Sequence, residues 1–359
     1  MMARVTFPFG PQHPVLPEPV QLILTCEDEK VVEVKPRIGY MHRGIEKGCE
    51  LNPYKHNVFL CERICGICSF IHAEAYCEVI EKAMGIEVPP RAKYLRVFWA
   101  ELSRMHSHLL WLGLFADGFG LESLFMQCWR ARELVLDVLE LTSGHRVIQS
   151  TCVVGGVRKD LDPDQIRTVR EMLKQFKELY TPIFQVFQHD RTIKSRTWGK
   201  GILPKDVAWQ LGAVGPTIRG SGWAFDARMD GYAAYGELGF EPVVEEGCDS
   251  YARMMVRARE VWQSWELVNL VLDRLPAGEI NVPVEDNPKG EAIHRAEQPR
   301  GEVIYYCRGD GSPNLKRLKV RTPSFANLPT LLVMLPGCEL ADVPVITLSI
   351  DPCIACTER

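Results

Sequence analysis

Two pairs of cysteines share one spacing: Cys65 and Cys68 in Arg63-Ile64-Cys65-Gly66-Ile67-Cys68, and Cys353 and Cys356 in Asp351-Pro352-Cys353-Ile354-Ala355-Cys356. A lone CxxC can serve as a redox pair. Two of them near opposite ends of a 359-residue chain ask for another explanation. With thiols at i and i+3, one helical turn places both sulfurs on one side. Two such turns brought together present four thiolates to one point, a donor set for a soft transition metal. Spacing alone leaves three readings open: a structural zinc site, a redox-active metal, or coincidence. Four-thiolate structural zinc usually pins a small loop-rich module whose pairs lie close in sequence. Here the pairs flank a stretch long enough to bury a core of its own.

Composition sets the frame for that site. Apolar residues make up 46% and charged residues 25% of the chain, as in ordinary globular proteins. The net charge is −4 with acids and bases interspersed, which offers nucleic acid no basic face. The opening, Met1-Met2-Ala3-Arg4-Val5-Thr6-Phe7, carries no secretory leader. The most apolar windows, 109–114 and 328–335, are far shorter than the roughly 20 residues that a membrane span requires. We therefore expect no transmembrane segment, with docking on a membrane complex still open. Thirteen cysteines without an export signal read as buried thiols or metal ligands rather than disulfides. Those outside the pairs read as small buried hydrophobes.

The elements that must position the cysteines follow from periodicity. Residues 4–35 alternate apolar and polar positions about Asp28-Glu29, which predicts a β-hairpin; before it, the prolines of Gly10-Pro11-Gln12-His13-Pro14 make a rigid loop. Apolar residues at helical spacing predict long buried helices over 92–115 and 121–141. A third over 164–188 is entered through Asp162-Pro163, and a fourth covers 251–272. Residues 191–250 read as loops and short helices. Two strands, 302–307 and 315–320, flank a turn at Gly309 to Pro313, and a short helix over 328–335 precedes the final CxxC. The expected fold is α+β and predominantly helical, a large bundle with small β-elements near the N-terminus and before the C-terminal CxxC. Its parts are a β-rich segment 1–50, a bundle 51–275 and a hairpin with metal-ligand segment 276–359, merged into one catalytic domain.

The residues around the cysteines carry a family resemblance. Glu62-Arg63-Ile64-Cys65-Gly66-Ile67-Cys68, with His72 four residues on, and Asp351-Pro352-Cys353-Ile354-Ala355-Cys356 resemble the two metal motifs of the nickel–iron hydrogenase large subunit. Pro299-Arg300-Gly301 resembles the segment that sets an arginine beside the iron, and Ser349 matches the usual hydroxyl position. A second set resembles the quinone-proximal helical subunit of respiratory complex I, which lacks the cysteine quartet. It comprises Gly10 to Pro14, Tyr40 to Lys47, Glu101 to Arg104, Ser107 to Trp111, and Gly155 to Arg158. A chain with both sets is similar to the large subunit of energy-converting, membrane-associated hydrogenases. Its compact length and Leu16-Pro17-Glu18-Pro19 resemble the ferredoxin-linked Ech type.

The resemblance implies roles. Cys65 and Cys353 would bind nickel terminally; Cys68 and Cys356 would bridge it to an iron carrying CO and two cyanides. Arg300 would donate to one cyanide and Ser349 to the other, with His72 and Asp351 supporting the sulfurs and the arginine. The reaction implied is 2H⁺ + 2e⁻ ⇌ H2. Glu46 would relay the proton, with Cys356 as partner, and its burial beside thiolates predicts a raised pKa. His13 and His42, whose counterparts border a quinone pocket, would instead face membrane subunits. No further cysteine cluster is spaced for an iron–sulfur centre in this chain. The implied partners are thus an iron–sulfur small subunit, ferredoxin-linked electron-transfer subunits, integral-membrane ion-translocating subunits and a maturation protease. The implied location is peripheral, on the cytoplasmic face of the membrane. Arg359 stands where many members carry the His associated with an additional divalent ion. A coupling subunit without a metal and a zinc-stapled structural protein are the alternatives.

Overall fold

In the computed structural model, residues 4–359 are described; the leader-free reading of Met1 to Ala3 lies outside them. The N-terminal sheet has three antiparallel strands, β1 (Arg4–Phe9), β2 (Gln21–Glu27) and β3 (Lys30–Arg37), in the order β1-β2-β3. The expected hairpin is its β2–β3 half, turning at Asp28, where φ is +54°. Alternation is clean along β2: Leu22, Leu24 and Cys26 are buried while their neighbours are half-buried.

Helices α1 (Ile45–Leu51), α2 (Asn57–Glu62) and α3 (Ser69–Met84) follow, then the long α4 (Pro90–Asp117) and α5 (Glu122–Ser143). A two-residue ladder, β4 (Cys152–Val153) with β5 (Gly156–Val157), leads into α6 (Pro163–His189). The start of α6 is as the sequence predicts. Asp162 accepts from the Asp164 and Gln165 amides, and the Gln165 side chain accepts from the Asp162 amide. Its buried face, Val169, Leu173, Phe176, Tyr180, Ile183 and Phe187, keeps strict 3–4 spacing. Short helices α7 (Arg191–Thr197), α8 (Lys205–Gln210), α9 (Pro216–Arg219) and α10 (Tyr235–Leu238) precede the long α11 (Ser250–Arg274).

The second half of the chain departs from expectation in one respect. Three strands form here rather than two: β6 (Lys289–Gln298), β7 (Gly301–Asp310) and β8 (Leu315–Arg321), in the order β6-β7-β8. β6 buries Glu297 and Gln298 beside Ala296, so polar residues stand where an apolar alternation would have marked a strand. The chain ends with α12 (Pro323–Asn327), a 3₁₀ turn at 328–330, α13 (Leu331–Met334), α14 (Val343–Ser349) and α15 (Ile354–Glu358).

Two apolar cores organise these elements. The larger joins α3, α4, α5, α6 and α11 to the β6–β8 sheet and contains all four cysteines of the pairs. The second packs the N-terminal sheet (Val20, Leu22, Leu24, Val31) against the C-terminal segment (Leu331, Leu335, Ile346, Ile350, Ile354). That second core brings the ends of the chain together. The fold is α+β and mainly helical, with small sheets at both ends. Among the described residues, no helix is long and apolar enough to cross a membrane. Of the remaining cysteines, Cys26, Cys49, Cys61, Cys77, Cys128, Cys152 and Cys307 are buried, whereas Cys248 and Cys338 are half-buried; all are free thiols.

Candidate metal centre

The cysteine pairs meet, but not as paired helical faces. Cys65 to Cys68 form a bent loop between α2 and α3, and α3 begins at the next residue. Cys353 is the N-cap of α15, and Cys356 lies in its first turn. Each pair therefore sits where a helix starts, so unpaired amides point at sulfur. Ile67 N–H donates to Cys65 Sγ at 3.3 Å, and Cys356 N–H to Cys353 Sγ at 3.4 Å. The same i, i+3 spacing that suits a helical face also suits such a turn; the glycine of Cys65-Gly66-Ile67-Cys68 favours the turn.

Across the site, Cys353 Sγ lies 3.4 Å from Cys65 Sγ, and Cys68 Sγ 3.5 Å from Cys356 Sγ. The sulfurs of Cys65, Cys68 and Cys356 all lie within 4.8 Å of one another. All four residues are buried. Hydrogen bonds from the neighbouring thiols, Cys353 foremost, hold Cys65 well below the usual thiol pKa. Burial pushes Cys68 and Cys356 well up. In this arrangement the buried sulfurs face one point, a pocket that favours a soft cation.

Arg300 approaches from the corner between β6 and β7. Its Nη2 lies 3.0 Å from Asp351 Oδ1, and its Nε donates to the Asp351 carbonyl at 3.1 Å. Nη1 is buried with no protein acceptor, and Asp351 Oδ2 likewise lacks a donor. The corner depends on two glycines. A Cβ on Gly215 would stand 2.3 Å from Gly301 Cα, and one on Gly301 would stand 2.8 Å from Gly215 N, with φ +66° and +130°. Asp351 itself holds φ +53°, which turns the chain into Pro352 and Cys353.

His72, on α3, is fully buried. Its Nε2 lies 3.4 Å from Cys356 Sγ and its Nδ1 2.7 Å from the Tyr305 hydroxyl. Burial lowers its pKa to about 4, so the ring is neutral. Ser349 is placed differently from the expectation. Its hydroxyl donates to the Ile346 carbonyl at 2.7 Å and accepts from Arg253 Nε at 3.0 Å, so its proton is already committed. His42 meets the site's edge, with Nδ1 2.6 Å from the Glu358 carbonyl, while His13 packs at a tilt against Phe9.

Glu46 requires a correction. Its carboxylate does not engage Cys356; it accepts instead from Arg359 Nε at 2.8 Å, Val320 N–H at 3.0 Å and Lys319 Nζ at 3.2 Å. Burial pushes the pKa up, but these donors, Arg359 first, outweigh it, so the pKa is lowered and not raised. A folded-state pKa below the ordinary value of about 4.3 contributes stability that is present above that value and lost as pH falls. Part of the stability at neutral pH is therefore lost on acidification, as Glu46 takes up a proton and gives up these partners. In Glu46→Gln that acid-dependent component should vanish, which a comparison of unfolding midpoints between pH 7 and pH 3 checks. Equal pH dependence in both proteins would contradict the pairing.

Three further residues position the site; the motifs quoted above contain Arg43 and Glu18 but assign them no role there. Arg43 donates to the carbonyls of Arg63 (2.8 Å), Ile64 (2.8 Å) and Ala355 (3.2 Å), strapping both cysteine segments together. His106 Nε2 lies 2.9 Å from the Ile67 carbonyl and pins the first cysteine loop. Glu18 accepts from Ala355 N–H at 2.8 Å. It also lines a cavity of about 290 Å³, otherwise mainly apolar (Leu110, Trp111, Leu114), that reaches Cys353 and Arg300. Glu18 lies among three prolines in the N-terminal loop, and only the tertiary fold carries it to the site.

Known proteins share this geometry's sequence. The family described as "Respiratory-chain NADH dehydrogenase, 49 Kd subunit" matches residues 118–287 and 284–359, and "Nickel-dependent hydrogenase" matches residues 43–115. The chain is 43% identical to the membrane-bound hydrogenase subunit alpha of Pyrococcus furiosus, over 99% of this chain and 87% of the relative. It is 39% identical to the carbon monoxide-induced hydrogenase of Rhodospirillum rubrum over the whole of both chains. With an NADH-quinone oxidoreductase chain of Sinorhizobium medicae it shares 34% identity, over 98% of this chain and 95% of the relative. Among solved structures, a chain of an archaeal membrane-bound sulfane sulfur reductase superposes with TM-score 0.94 at 30% identity, covering 99% of this chain and 98% of that one. The chain therefore belongs to the family that unites the large subunits of membrane-bound nickel-dependent hydrogenases with the 49-kDa-type subunits of respiratory-chain NADH dehydrogenase.

Proposed function

We propose that this chain is the catalytic subunit of an energy-converting nickel–iron hydrogenase, running 2H⁺ + 2e⁻ ⇌ H2. The observation that carries this reading is the convergence of four buried thiols from both ends of the chain, with a buried arginine N–H left unpaired beside them. The donor set fits the group: soft sulfurs for nickel and iron, and Arg300 Nη1 as a donor for a small polar ligand on iron. Cys65, Cys68, Cys353 and Cys356 would hold the nickel–iron group. When bound, the nickel–iron group with its CO and two cyanides supplies the two-electron chemistry that splits or forms H2.

The protein's own residues then do four things. Arg43 and His106 fix the cysteine loops, and Asp351 holds the Arg300 guanidinium in one orientation. The apolar cavity beside Cys353 admits a small neutral molecule while offering water few partners. Neutral His72 stands beside Cys356 Sγ without adding charge. A carboxylate takes the proton from the sulfur side. Its geometry favours Glu18, which lines the cavity with Cys353; Glu46, already engaged by Arg359 and Lys319, is the second reading.

Electrons would pass to an iron–sulfur small subunit and on to ferredoxin. Integral-membrane subunits would translocate ions, with the chain held peripherally on the cytoplasmic face and a protease completing its maturation. The membrane-bound relatives support this assembly. Metal analysis with infrared spectroscopy on anaerobically purified protein tests the reading. Equal nickel and iron with CO and cyanide stretches are expected; zinc alone, or no metal, would end it. Glu18→Gln should cut H2 turnover by about 10²-fold or more with the infrared bands intact. Glu46→Gln should cost less; the reverse ranking would return the proton to Glu46.

A further inference from the structure

Beyond the metal centre, α3 carries a ladder of carboxylates whose innermost member the proposed chemistry does not use. Glu74, Glu78 and Glu81 follow one another at helical spacing on the helix that begins after Cys68. The outer two are paired. Glu81 takes both terminal nitrogens of Arg96, at 2.6 and 2.8 Å, and also the Gly155 amide at 2.7 Å. Glu78 lies 3.0 Å from His294 Nε2 and 3.7 Å from Arg96. Glu74 is fully buried, and no protein group donates to either of its oxygens.

An ionised carboxylate without a donor is among the costliest groups to bury, so a carboxyl in this position keeps its proton. The groups facing it reinforce this. Glu78 on its own helix, Glu101 on α4 and Cys152 on β4 act against ionisation, and Arg96, turned toward Glu81, only partly offsets them. Tyr232, and Tyr235 on α10, face it from the segment across the bundle. Inward, Glu101 is ionised and held by Tyr235 (2.5 Å), Ser264 (2.6 Å), Arg104 (3.3 Å) and Arg228 (3.3 Å). Outward, Glu78, Lys93, Tyr232 and His294 line a surface cavity of about 360 Å³ that shares no residue with the cavity beside Cys353.

We propose that Glu74 is a proton-storage site, loaded from solvent through Glu78 and His294 at this second cavity. The step is a proton transfer alone. Water in the cavity exchanges a proton with Glu78 or His294, and a proton passes between the Glu78 and Glu74 carboxyls through an intervening water, since no protein group bonds either Glu74 oxygen. Discharge reverses it; no electron or further reactant takes part. Cys68, His72 and Glu74 follow one another along one segment, and the store opens on a cavity that shares no residue with the cavities that Glu18 and Glu46 line.

Infrared spectroscopy of the intact protein on transfer from H2O to D2O tests this, and needs neither metal nor turnover, so it stands or falls apart from the hydrogenase reading. The wild type should show the carbonyl band of a protonated carboxylic acid, shifting as deuterium enters. Glu74→Gln, which matches the neutral form in shape and charge, should remove the band and keep the thermal midpoint within a few degrees. Glu78→Gln should retain the band and slow its deuterium shift on the order of tenfold. The proposal is overturned if Glu74→Gln leaves the band, if it unfolds the protein, or if Glu78→Gln exchanges at the wild-type rate.

Discussion

Cys68→Ser should give a folded protein that retains neither nickel nor iron and evolves no H2. The side chain is fully buried and the swap is nearly isosteric, so the packing of α2 and α3 has little reason to change. The donor chemistry changes completely. A hydroxyl is harder than a thiol, and at neutral pH it does not ionise to give the anionic donor that a soft metal needs. Because Cys68 Sγ lies 3.5 Å from Cys356 Sγ, the loss falls inside the thiol cluster proposed to hold the metals. Cys128→Ser is the matched control. That thiol is equally buried in the bundle, and burial raises its pKa to about 12, so it is inert. Its serine variant should lose about 1–3 kcal/mol of stability and keep its metals. Elemental analysis and H2 evolution with a reduced dye read both. Wild-type nickel in Cys68→Ser would contradict the assignment.

The largest expected stability change comes from Arg300→Leu. The guanidinium is buried and makes two contacts to Asp351, whose other carboxylate oxygen already lacks a donor. Removing one member of a buried pair leaves an uncompensated charge, at a cost of about 3–5 kcal/mol. The double variant Arg300→Leu/Asp351→Asn should recover much of that loss, because the stranded charge goes with its partner. Arg300→Lys separates function from stability. It keeps the charge but not the planar fork, so it should stay folded and metal-loaded while losing about 10- to 100-fold in turnover. Thermal midpoints and H2 turnover on the same preparations check all three. A double variant no more stable than Arg300→Leu would show that the pair is not the source of the loss.

What the sequence revealed, and what it hid, follows from the range of each interaction. The long helices were legible because their apolar residues recur within a few turns; α6 shows its cap and its stripe in the bare sequence. The four cysteines were legible because the spacing of each pair is local. Glu46 was misread because what decides its pKa is Arg359 and Lys319, residues from the far end of the chain. Ser349 was placed at the site, but its proton is claimed by Ile346 and its oxygen by Arg253, neither foreseeable from spacing. α4 reads as an apolar helix, yet it buries Arg96, Glu101 and Arg104, each bonded to a partner on another element. Periodicity shows which face turns inward; it does not show what meets that face. The same limit concealed β6, where Glu297 bonds Arg219 inside the core.

The second core has a consequence for how the protein is made. Val20, Leu22, Leu24 and Val31 leave the ribosome before the helical bundle, yet the residues that cover them, Leu331, Leu335, Ile346, Ile350 and Ile354, leave only after it. While the bundle is being made, then, an apolar sheet face waits without its lid, and an exposed face of that kind invites wrong pairing. The nascent chain holds Cys65 and Cys68 early but has no Cys353 or Cys356 to oppose them. A metal reaching it too soon finds two thiols where the finished protein has four. Synthesis from N to C therefore acts as a timer: the complete donor set exists only once the lid has been made.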